Sequence, residues 1–285
     1  MKQTIDNTPQ PKGKIIIPII NYTLIYLLAG FLNYLIFQLA SIYVGSYLCE
    51  MPLKWTSYIV EARIPEAAWD MYRVTRFFTY PSYLSLVIAI IFSFLFLKQY
   101  HKKGLLKIFY LWMAFHAFNL FAGHIITGLI TKEGFYYPLL WKRASDLIII
   151  LIGVLSVAFL VVFGCFYTRA VFLIAFSRSF VENYQKRNMY LLKLFVIPWI
   201  IGSILLIAVK LDFNYFYEFP QFEWLINFPI GLILLPMFFL NKNYRKSDFV
   251  IIKDKRPTKI NIKLILFIGF VILAYKIFLI NGISI

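Results

Sequence analysis

The chain reads as an all-α, polytopic membrane protein, a bundle of about seven transmembrane helices with six as the alternative count and the N-terminus cytoplasmic. Three observations predict this. Of 285 residues, 61% are hydrophobic and only 15% charged, against roughly 45–50% apolar and about 25% charged in soluble domains. The apolar residues gather in blocks of about 20, long enough to cross a hydrocarbon core of roughly 30 Å as a helix. The basic residues fall between those blocks and alternate in density from one loop to the next, as the positive-inside bias requires.

The blocks cover residues 15–44, 77–97, 105–130, 147–172, 190–209, 224–240 and 264–280. The first is longer than the roughly 7–15 apolar residues of a signal peptide, so it is expected to be a retained span behind a polar tail, residues 1–14. The remainder, 15–285, is expected to form one transmembrane domain. Block six is the weakest, because it is short and carries Pro229 and Pro236. Block seven carries Lys276, whose amine is expected to snorkel toward the headgroups.

Charge placement tests the drawing independently, since it was not used to find the blocks. With the N-terminus inside, 20 of the 29 Lys and Arg residues lie on the cytoplasmic side and 9 outside. The longest outer loop, about 45–76, contains "IPEAAWDMYRVTR", which reads as a short helix opened by Pro65, with Trp69 and Tyr72 resting on the membrane surface. Lys, Asn, Ile, Phe and Tyr usage suggests an AT-rich bacterial genome, hence the bacterial cytoplasmic (inner) membrane. The net charge of +16 is explained by orientation and by attraction to anionic lipid, so the lipid bilayer is the expected partner, with other membrane-protein subunits a further option and nucleic acid not expected.

The third block contains "FHAFNLFAGHIITG", polar groups set in an apolar segment. On a regular helix at 100° per residue, His116, Asn119, Gly123 and Thr127 share one stripe, and His124 lies about 80° away. Such groups in lipid require partners, so the stripe faces other helices or a polar pocket. The candidate pocket is therefore His116, Asn119, His124 and Thr127. No metal is assigned: His116 and His124 are about 12 Å apart along a regular helix, and the window "HAFNL" has Ala117 and Leu120 where a zincin has its Glu and second His.

None of the 13 Asp and Glu residues lies in the middle of a block, which disfavours an intramembrane carboxylate pathway or aspartyl protease. Nine belong to the outer side. A candidate outer-face ligand patch gathers Glu133, Tyr136 and Tyr137, Trp141, Glu218, Glu223 and Trp224, drawn from "TKEGFYYPLLWKR" and "LDFNYFYEFPQFEWL", where carboxylates and aromatic rings could hold a cationic or amphiphilic ligand or form an interfacial aromatic belt. The cofactor and any catalytic residues are unknown from sequence. The reading is a non-catalytic complex subunit or a carrier of a small or amphiphilic molecule, with an intramembrane or outer-face enzyme acting on lipid or peptide as the alternative.

Overall fold

The computed structural model describes residues 16–57, 59–102, 104–211, 220–244, 259–279 and 282–285. Helix α1, Ile16–Tyr43, continues through a π-helical turn at Val44–Leu48. The loop that follows holds two short antiparallel strands, β1 (Leu53–Trp55) and β2 (Val60–Ala62). "IPEAAWDMYRVTR" is not one short helix. Glu66–Ala68 makes a single 3-10 turn, the backbone extends at Trp69 and Asp70, and α2 then runs unbroken over Met71–Gln99. Its start is fixed by the Asp70 carboxylate, which accepts a hydrogen bond from the Arg73 amide at 2.7 Å, so the N-cap moves the second span six residues ahead of its apolar block. Trp69 is consequently turned inward against Phe77 and Phe78, while Tyr72 stays exposed beneath the Arg76 guanidinium.

Helix α3 (Leu106–Phe118) passes through a π-helical turn at Asn119–Gly123 into α4 (His124–Thr131). A tight turn with Lys132 and Gly134 in left-handed backbone conformations leads to α5 (Tyr136–Trp141) and then α6 (Asp146–Leu173). Helix α7 (Tyr184–Leu191) joins α8 (Ile197–Lys210) through a third π turn, Leu192–Val196, just ahead of Pro198. Block six is broken: α9 (Gln221–Leu225) and α10 (Ile230–Leu240) are separated by the turn 226–229, which ends in Pro229.

Among the described residues six helical stretches are long and apolar enough to cross a membrane: Ile16–Leu48, Met71–Gln99, Leu106–Thr131, Asp146–Leu173, Tyr184–Lys210 and Gln221–Asn243. The third is the most buried of them, whereas α6 presents Leu147, Leu151, Val154 and Phe166 outward. The polar span is therefore central and α6, whose outward side chains are mostly apolar, is peripheral.

Helix α11, Ile262–Phe278, is 17 residues long and runs alongside α1 in the same direction. At its start the Asn261 amide donates to Asn21 Oδ1 at 3.0 Å. Near its end the Tyr275 hydroxyl lies 2.8 Å from Gln38 Oε1 and 2.9 Å from the Ser57 carbonyl, two acceptors that share its one proton. Strand β3, Ile283–Ser284, then adds antiparallel to β1. The Lys276 amine donates to the Leu211 carbonyl at 2.8 Å, satisfying a freed acceptor at the end of α8.

Candidate functional site

The π turn at Asn119–Gly123 inserts one extra residue into the third span and so rotates everything after it by about 100°. On a regular helix His124 would lie about 80° from His116; with the insertion the two fall within about 20° of each other, and Thr127 takes the offset position. Both rings accordingly face α1. His116 meets the Tyr26 ring with centroids 4.3 Å apart, and His124 meets Phe37 at 5.2 Å. Gly30 makes the first approach possible, since a Cβ there would come within 2.7 Å of His116 Cε1 and 2.5 Å of Leu206 Cδ1.

These two histidines open onto different spaces. His124 lines a pocket of about 530 Å³ at the end of the bundle where α1 finishes. Its Nδ1 shares a 2.7 Å hydrogen bond with the Ser82 hydroxyl, and the edge of Phe222 packs on its ring. The pocket walls are aromatic, with Phe37, Trp69, Phe77, Phe78, Tyr137 and Phe222, and its acids are Glu61, Glu133 and Glu223. Gly134, at φ 57°, turns the chain so that Glu133 and Tyr137 both reach this space.

Glu223 forms the inner wall. Its carboxylate accepts from the Lys210 amine at 2.6 Å, with both side chains almost fully buried, and the same amine sits 3.7 Å from the centroid of Tyr34. Beyond this pair lies a second space of about 10 Å³, lined by Tyr34, His116, Asn119, Lys210 and Asn227 among others. That is about the volume of one water-sized sphere. Among the described residues His116 Nε2, Asn119 Oδ1 and Asn227 Nδ2 are buried without a protein hydrogen-bond partner, and all three residues line this space. The set offers two acceptors and one donor to a single small polar molecule.

The broken helix is held by neighbours. Asn119 Nδ2 donates to the Ile226 carbonyl at 2.6 Å, and Trp199 Nε1 donates to the Asn227 carbonyl at 3.0 Å. Side chains of two other spans thus satisfy the acceptors that the 226–229 turn frees, as unwound backbone at membrane depth requires.

Glu133 stands apart from Glu223 electrostatically. Glu133 has no cationic partner among the described residues, and burial, reinforced by the nearby Glu223 charge and partly offset by a hydrogen bond from the Phe222 backbone, raises its carboxyl above the ordinary value. No three His, Cys, Asp or Glu residues converge at metal-holding distance among the described residues. Both cysteines, Cys49 and Cys165, are free.

No family model, curated protein or solved structure matches this chain.

Of the residues singled out from sequence, His124, Glu133, Tyr137 and Glu223 come together at the larger pocket, and His116 and Asn119 at the small inner space. Thr127 is buried but lines neither. Tyr136 is half-buried outside both linings, and Trp141 and Trp224 are exposed, in keeping with an interfacial belt. Glu218 lies outside the described residues. Sequence reasoning missed Tyr34, Lys210 and Asn227 together with the aromatic wall apart from Tyr137. One signal was available for Lys210: it closes the fifth block on the side where the acids collect, thirteen positions before Glu223.

Proposed function

We propose that this is a non-catalytic multi-pass protein of the bacterial cytoplasmic membrane that binds a small cationic amphiphile at its outer face, as a carrier or as the binding subunit of a membrane complex. One observation carries the reading: a pocket of about 530 Å³ combines an aromatic wall with Glu133, a carboxylate that has no cation of its own among the described residues. A cation there gains from ring faces and from the carboxylate together, and the apolar wall takes its alkyl part. The broken helix beside the pocket supports a carrier, because discontinuous helices recur at the binding sites of transporters. In this reading α11 is the seventh span, with the N-terminus inside and the C-terminus outside. Its parallel course beside α1 over about 25 Å and the basic-residue distribution support that topology.

The test is binding to protein reconstituted in nanodiscs, using octyltrimethylammonium, octyl sulfate and octyl glucoside as a charge series. The ammonium probe is expected to bind saturably and at least about tenfold tighter than the other two, and Glu133→Gln to remove most of that preference. Equal binding of all three probes, unchanged in Glu133→Gln, would refute the proposal.

A further inference from the structure

At the opposite end of the bundle, where α1 begins, a groove of about 440 Å³ runs between the first turn of α1 and α7. Its floor is apolar, with Pro18, Phe176, Tyr190 and Leu194, and Lys186 and Lys193 stand at its polar margin. We propose that this groove is a binding site for one anionic glycerophospholipid, its phosphate held by Lys186 and Lys193 and an acyl chain lying along the apolar floor.

The chemistry of the lining selects this occupant. Lysine is a point-charge partner for phosphate, and Lys193 is half-buried in the groove lining, the setting in which a lysine stem covers apolar surface while its amine serves a polar headgroup. Lys186 is paired with Glu182, whereas Lys193 has no acidic partner among the described residues, so the groove's unanswered positive charge centres on Lys193. A free phosphate would leave the apolar floor uncovered, and an apolar molecule would leave the Lys193 ammonium unanswered. A basic pocket between helices at a membrane–water boundary is a recurrent setting for anionic lipid headgroups. In the topology proposed above this end faces the cytoplasm, the side carrying most of the basic residues. The site itself depends only on the groove, and it is independent of the ligand assigned to the outer pocket.

Native mass spectrometry of delipidated full-length protein, titrated with phosphatidylglycerol or phosphatidylcholine of matched acyl chains, tests it. One phosphatidylglycerol is expected to remain bound under activation that strips phosphatidylcholine, and Lys186→Gln/Lys193→Gln to lower that retention at least about fivefold. Met189→Trp, which places bulk at the groove where Met189 lines it, is expected to lower retention with both lysines intact, and Lys98→Gln/Lys102→Gln, at another basic loop, to leave it unchanged. Unaltered thermal unfolding of each variant establishes that it is folded. Equal retention of the two lipids, full retention by the Lys186/Lys193 variant, or an equal loss in the Lys98/Lys102 variant would overturn the proposal.

Discussion

Asn119 and His116 both line the inner space, yet their side chains do different work. Asn119 Nδ2 satisfies the Ile226 carbonyl at the break in block six, so Asn119→Leu strands a buried acceptor. Such a loss costs about 1–3 kcal/mol, whereas His116 Nε2 has no protein hydrogen bond to lose among the described residues. Asn119→Leu is therefore expected to lower the unfolding temperature in nanodiscs clearly more than His116→Leu, and equal effects would contradict the assignment. His124, which lines the outer pocket, is the histidine whose substitution by Leu should weaken binding of octyltrimethylammonium. His116→Leu should leave that binding nearly unchanged. The regular-helix reading set His124 off the His116 stripe, because a periodicity of 100° per residue cannot register a single inserted residue.

At the scale of elements, the blocks were legible because each is a run of apolar residues long enough to cross a membrane, and length alone separates that from a buried helix in a soluble domain. The break at 226–229 was foreshadowed by Pro229 in the weakest block, whereas the π turns and the three-residue strands β1 and β2 were not legible, since each depends on contacts from elsewhere in the chain. Trp55 illustrates this: its indole donates to Gln38 Oε1 at 3.1 Å, a partner seventeen residues away that fixes the hairpin against α1. The junction of α8 with α9 was half legible, as two opposite charges on the same side of the drawing whose pairing only the fold reveals. Lys210→Met should destabilise the protein by about 3–5 kcal/mol, because it leaves Glu223 buried and uncompensated, and Lys210→Met/Glu223→Gln should recover much of that loss. Chemical unfolding of the two variants in the same nanodiscs measures the difference. A double variant no more stable than Lys210→Met would contradict a closed ion pair at this junction.

Across the whole molecule, polarity is divided between the two ends. Carboxylates with aromatic rings gather at the end where α1 finishes, and lysines with an apolar groove at the end where it starts. The topology proposed here makes a reporter fused after Lys186 cytoplasmic and reporters after Glu133 or at the C-terminus external. An external reporter at Lys186, or a cytoplasmic one at the C-terminus, would contradict the seven-span drawing. The central claim is that an ionised Glu133 holds a cation in the outer pocket beside Glu61, Glu223 and His124. Burial raises its carboxyl above the ordinary value of 4.5, so the proton returns, and the attraction fades, as the pH falls through that raised value. The direct measurement is octyltrimethylammonium affinity from about pH 8 to about pH 5 in wild type and in Glu133→Gln. The account predicts affinity that falls with pH in the wild type and a weak, flatter profile in the variant; identical profiles in the two proteins, or affinity that rises as the pH falls, would contradict it.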